Sequence, residues 1–195
     1  AAAWPVQGLI RHFRHEIGHY YWERLVLDGG PIDDFRAMFG DERANYADAL
    51  QAHYANDAPE GWQDRFVSTY AASHPWEDWA ETWAHYLHIV DSLETAHAFG
   101  LNVRPGVGGD PALTAVADFD PYDREDFDQM VATWLPLTHA VNSLNRSMGQ
   151  PDLYPFVLAP RVIDKLRFVH HLVRQNAARG DPFAPGAAEG LTSAG

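Results

Sequence analysis

The chain of 195 residues contains no cysteine. That excludes a disulfide framework and any thiolate metal site, and it fits a reducing compartment. Positive charge is scarce: Lys and Arg number 14 against 27 Asp and Glu, for a formal net charge of −13. Such a balance repels the phosphates that a general nucleic-acid binder must neutralise, so no nucleic-acid partner is expected. Long apolar runs are missing as well. No stretch approaches the roughly eighteen consecutive apolar residues of a membrane span, and the first residues lack the charged and apolar regions of a signal peptide. The expectation is a soluble, cytoplasmic protein with no membrane partner. With no thiolate, any metal must be held by imidazole and carboxylate, and 11 histidines are available.

What is present is enough apolar material for one core, with 46% hydrophobic and 13% aromatic residues. The opening Ala1 to Gly8, three alanines without a methionine, has no usable period and reads as a trimmed end. From Leu9 to Leu27 apolar residues recur at helical spacing until Asp28-Gly29-Gly30-Pro31 stops the pattern. Short helices follow over Asp33 to Phe39 and Glu42 to Asn56, and Trp62 to Tyr70 reads as one more helical piece. Pro75 suits the first turn of a long helix from about Trp76 to Ala98, closed by Gly100. The proline- and glycine-rich stretch to Asp123 is a loop, with Leu113 to Phe119 extended inside it. Two further helices fit Asp123 to Met148, interrupted near Pro136, and Pro160 to Arg179. The sum is a mainly α fold with at most a small β element. It forms one domain over residues 1–179, followed by a flexible tail over 180–195.

The first helix contains His15-Glu16-Ile17-Gly18-His19, an HExxH string. Its imidazoles at i and i+4 point the same way, which suits one tetrahedral zinc, and Glu16 between them can reach a water on the metal as general base. With 11 His and 9 Glu in the chain, random order would give about 0.03 such strings. A zinc hydrolase needs a third protein ligand. Tyr20 to Leu25 lacks the Gly and His of the short metzincin spacing, so a carboxylate on a second helix is the better candidate. There Glu77, Glu81, His85 and His88 fall on one face of an otherwise aromatic helix. Burying four such groups costs several kcal/mol unless they are paired or ligated, so the stripe is expected to face the metal.

HExxH followed on a later helix by Glu77-Asp78-Trp79-Ala80-Glu81 resembles the gluzincin pattern. Ser68-Thr69-Tyr70, seven residues before Glu77, is similar to the arrangement in the protease domain of anthrax lethal factor and its bacterial relatives. The longer strings Arg14 to Trp22 and Ser73 to Tyr86 also resemble a family of uncharacterised bacterial proteins named as zinc-binding metallopeptidases. That second likeness covers most of the chain and extends into Leu144 to Gly149 and Asp152 to Phe156. The resemblance implies a zincin-like helical metalloprotease domain with one Zn²⁺ per chain, held by His15, His19 and Glu77. It further implies Glu16 as the group that activates water, Glu81 as a carboxylate orienting a ligand histidine, and Tyr70 as the oxyanion donor. The implied reaction is hydrolysis of a peptide or protein substrate, by an endopeptidase.

The chain departs from that pattern at its start. Gluzincin-type proteases place a small sheet before the HExxH helix to pair with the substrate backbone, and only fourteen residues precede His15. An N-terminal region of the same protein is the expected missing partner, and Leu101 to Tyr122 is the substitute edge within this chain. His74 either bonds a reaction intermediate or caps the following helix. His85 and His88 are candidates to support the ligands from behind. His12 is expected at the surface, His170 and His171 exposed, Trp76, Trp79 and Trp83 in the core, and Arg146 as a loop anchor. Two other functions fit the same residues: a zinc-stabilised binding or regulatory module without turnover, marked by His74 or His85 as a fourth protein ligand, and a zinc hydrolase of a non-peptide amide.

Overall fold

The computed structural model describes residues 6–28, 30–106 and 110–178. Among them are six α-helices: α1 (Val6–Trp22), α2 (Ile32–Phe39), α3 (Tyr46–Ala55), α4 (Pro75–Ala98), α5 (Phe127–Ser147) and α6 (Pro160–Ala178). The strands β1 (Asn102–Val103) and β2 (Ala115–Val116) pair antiparallel, Asn102 opposite Val116. The fold is mainly α. The expected tail at 180–195 and the opening Ala1 to Pro5 lie outside the described residues.

Helix α4 is the axis of the molecule, and every residue from Glu77 to Tyr86 is buried. Its ends follow from local chemistry. At the start, His74 accepts the Trp76 N–H through Nδ1 (3.1 Å) and Pro75 occupies the first turn. At the other end, Gly100 adopts φ +62° while the Gly100 and Leu101 N–H groups bond back to His97 and Ala96 (3.0 and 2.8 Å). A helix enclosed on all sides is ordinarily apolar all round, yet α4 carries Glu77, Asp78, Glu81 and His85 into the interior. Asp78 is answered by Lys165 of α6, the single lysine of the chain. Its Nζ donates to Asp78 (2.6 Å) and to the Arg65 carbonyl (2.7 Å) and lies 4.3 Å from the Phe66 ring.

Helix α1 packs on α4 along its length. Instead of ending at Leu27 as regular α-helix, it widens into a π-helical turn over Glu23–Leu27, closed by the Asp28 N–H on the Glu23 carbonyl (2.9 Å), and buries Leu25 and Val26. The core gathers Trp22, Phe35, Phe39, Trp79 and Trp83 with Phe127, Met130 and Trp134 of α5 and Val162, Leu166 and Val169 of α6.

Several sequence expectations are corrected. Helix over 62–70 reduces to a 3₁₀ turn, Trp62–Asp64. Beyond it, Ser68 Oγ accepts the Ala71 N–H (3.1 Å) and Ser73 Oγ donates to the Tyr70 carbonyl (2.7 Å), local bonds that compete with a helical ladder. Helix α5 is not interrupted at Pro136. The proline leaves only the Ala132 carbonyl without its helical partner, Ala132 is exposed to solvent, and buried Trp134 and Leu137 hold both halves down. The extended stretch shortens to Ala115–Val116. His170 is buried, its Nε2 3.1 Å from the Glu125 carbonyl and its ring packed on Phe127, because it lies on the inner face of α6; His171 is exposed.

Candidate metal centre

Two helices bring the HExxH string to its partner carboxylate. Gly18, inside the string, lies where α1 crosses α4: a Cβ there would stand 3.0 Å from the Ala80 Cα and 3.1 Å from the Trp83 Cβ. The Gly18 carbonyl accepts from the Trp79 indole N–H (2.8 Å). This close approach sets His15 and His19 opposite Glu77. One nitrogen of each histidine and a Glu77 oxygen lie within 4.8 Å of one another.

Within the cluster, His15 Nε2 is 3.0 Å from Glu77 Oε2 and His19 Nε2 is 3.6 Å from Glu77 Oε1. The far nitrogen of His15, Nδ1, is 2.9 Å from Glu81 Oε1. Glu81 is in turn held by Ser68 Oγ (2.6 Å) and by Arg11. His15 and Glu77 are buried. Burial alone would lower the His15 pKa, but the facing Glu77 and Glu81 carboxylates outweigh it and push it up to about 9. The same opposition runs the other way at Glu77, where burial is outweighed by His15, His19 and Tyr46 and the carboxyl is held well below the usual range.

A cation fits this arrangement. Glu77 Oε2 is a buried atom without a hydrogen-bond partner, and buried polar groups are rarely left so. With His15 Nδ1–H on Glu81, positive charge belongs between Nε2 and Glu77 Oε2; without a metal the proton that His15 holds at its raised pKa supplies it, and a metal ion would replace that proton. Two imidazoles and one carboxylate are a donor set suited to zinc.

Around the cluster, Glu16 is more than half exposed, its Oε1 3.6 Å from His12 Nδ1. The half-buried Tyr70 ring lies 5.8 Å from the His15 ring, and its phenol pKa is raised by burial and by the Glu77 charge. His74 is not at the cluster: it caps α4 and its Nε2 bonds the Ala44 carbonyl (3.1 Å). Nor is His85, which is enclosed two turns along α4 with Nδ1 2.6 Å from the Tyr154 hydroxyl and Phe156 across its ring. His88 Nδ1 is 2.6 Å from Arg14 Nη1. The β1–β2 pair in the 101–122 stretch, the expected substrate edge, packs on α5, which supplies no residue to the cluster. Trp79 and Trp83 are buried in the core, and half-buried Trp76 packs against its edge with its ring 4.0 Å from the His19 ring. Arg146 anchors its loop through a two-pronged bond to Asp152 (2.6 Å each).

Three contributors escaped the sequence reading. Arg11 stands one turn before His15 on the same helix face, a spacing that could have revealed it. Ser68 stood in a quoted string without a role. Tyr46, whose hydroxyl donates to Glu77 Oε1 (2.7 Å) from 31 residues away, had no local signal at all.

The fold and cluster thus define a mainly helical protein with a His-His-carboxylate group able to hold a metal ion. Residues 3–172 match the family described as "Putative zinc-binding metallo-peptidase", and the chain belongs to that family. It is 47% identical over 179 residues to an uncharacterized protein of Mycobacterium bovis, and to the same extent to uncharacterized proteins of two Mycobacterium tuberculosis strains. Each alignment covers 91% of this chain and 50% of the relative, so the chain spans about half the length of the curated relatives it matches. No solved structure matches it. Among the described residues, no helix is long and apolar enough to cross a membrane.

Proposed function

We propose that the chain is a zinc-dependent metallopeptidase of the HExxH gluzincin type, an endopeptidase acting on a peptide or protein substrate. The observation that carries the reading is the convergence of His15, His19 and Glu77 within 4.8 Å, with the exposed Glu16 on the same helix as both histidines. His15, His19 and Glu77 would hold zinc, which when bound supplies a Lewis acid that polarises a carbonyl and lowers the pKa of a water.

The other roles belong to the chain itself. Glu16, on the same helix as both histidines and open to solvent, takes a proton from the attacking water at its carboxylate and delivers it to the leaving amine nitrogen. Glu81 accepts Nδ1–H of His15, fixing the tautomer that turns the Nε2 lone pair toward Glu77. Arg11 and Ser68 hold Glu81 in place. Tyr70 donates its hydroxyl to the oxygen that gains negative charge at the scissile carbonyl, an interaction made in the transition state. The absence of His74 and His85 from the cluster favours an open coordination position over the closed site of a purely structural module.

The test is metal content of the wild type and of Glu77→Ala beside cleavage of a mixed-peptide pool. One equivalent of zinc, lost in Glu77→Ala, and cleavage abolished by a chelator are expected. Zinc without cleavage would favour the binding module, and a wild type without zinc would remove the reading altogether.

A further inference from the structure

Helix α3 is placed over the metal cluster without the usual reason for a helix to be anywhere, since none of its ten residues is buried. Its inward contacts are a few side chains. The Tyr46 ring meets those of His74 and Trp76 at 5.3 and 5.9 Å, and the His53 ring meets Tyr70 at 5.8 Å. Tyr46 is the first residue of α3. Its position is set by Asn45, whose Oδ1 accepts the Ala47 and Asp48 N–H groups (3.1 and 3.2 Å).

The Tyr46 hydroxyl makes the two oxygens of Glu77 unequal. Oε1 accepts its hydrogen at 2.7 Å, whereas Oε2, 3.0 Å from His15 Nε2, has no hydrogen-bond partner. A carboxylate pinned through one oxygen cannot rotate freely about its last bond and presents the other oxygen to a cation. We infer that Tyr46 is a positioning residue for the metal: its phenol holds Glu77 so that Oε2 is the ligating oxygen. The inference rests on the metal site of the metallopeptidase reading, not on turnover. Tyr46 is 38% exposed, so removing its hydroxyl alone takes little from the packing.

The experiment uses the full chain and Tyr46→Phe, with zinc affinity measured by chelator competition, the visible spectrum of the Co²⁺-loaded protein, and the urea midpoint of the metal-free protein. Loss of a group that orients a ligand weakens metal binding by about ten- to a hundredfold. Tyr46→Phe should show that loss together with a shifted Co²⁺ spectrum, and a urea midpoint lowered by the loss of one hydrogen bond to a buried carboxylate. In a Glu77→Gln background, the same substitution should cost nothing further. Wild-type affinity and an unchanged spectrum would overturn the inference and leave the peptidase reading standing. So would a weakened affinity with a wild-type Co²⁺ spectrum, which would assign Tyr46 to the fold. A wild type that binds no zinc would overturn both, and zinc binding without cleavage would overturn the peptidase reading alone.

Discussion

Gly18 and Ala80 bring α1 and α4 into close contact, with only 3.0 Å between the Ala80 Cα and the place a Cβ on Gly18 would occupy. The two histidines come to the cluster from α1 and Glu77 from α4. Alanine at position 18 would gain about 1 kcal/mol of helix propensity. Overpacking against backbone costs about 1–3 kcal/mol, and here it wins because a main-chain atom cannot turn away. Gly18→Ala should therefore lower the urea midpoint and weaken zinc binding together, by pushing His15 and His19 away from Glu77. Wild-type values for both would show that the helices can part without cost.

Glu16→Gln removes the proposed proton carrier and leaves His15, His19 and Glu77 untouched. Zinc content and metal-free stability should match the wild type, while kcat falls by about 10²–10⁴-fold, the range for a lost general base. Peptide hydrolysis at the wild-type rate would end the assignment of Glu16.

Asp78, next in sequence to Glu77, forms a buried ion pair with Lys165, with side chains 1% and 4% exposed. Asp78→Asn strands the ammonium in the core and should cost about 3–5 kcal/mol in chemical denaturation. Replacing both, as Asp78→Asn with Lys165→Met, should cost less than the single change. A double variant as unstable as the single one would place the stability in Lys165 packing instead of the charge pair.

Burial lowers the His85 pKa from 6.5 to about 3, so this imidazole stays neutral in the fold. Below pH 6.5 the unfolded chain takes up a proton that the folded one refuses. The contribution of His85 is therefore complete above pH 6.5 and lost as pH falls toward 3. One proton corresponds to about 1.4 kcal/mol per pH unit. In His85→Gln, the slope of stability against pH between 4 and 6 should be shallower by that amount, whatever the offset from the altered bond to Tyr154. An unchanged slope would mean that His85 is protonated in the native state.

Local information in the sequence was enough for the long helices α1 and α4, because apolar periodicity, Pro75 and Gly100 act within a few residues. HExxH was legible for the same reason: a helix alone puts positions i and i+4 on one face. The third ligand was narrowed to a stripe by that argument and to Glu77 only by family likeness. What escaped was non-local or locally ambiguous. Residues 65–73 carry helix-compatible side chains, yet Ser68 and Ser73 bond to nearby backbone, and Ser68 also reaches Glu81 across the fold. His74 had two equal readings, decided by the bond of its Nε2 to Ala44, thirty residues earlier.

The sequence by itself determined a mainly helical chain, the facing pair His15 and His19, and the placing of Glu16 between them, since helical geometry is a property of neighbours along the chain. Only the tertiary structure decided that Glu77 faces the pair while Glu81 stands behind His15, that Gly18 is where α1 and α4 touch, and that Tyr46 reaches Glu77. Those relations depend on how two helices cross and on where a helix without buried residues comes to rest, and no spacing along the chain encodes either.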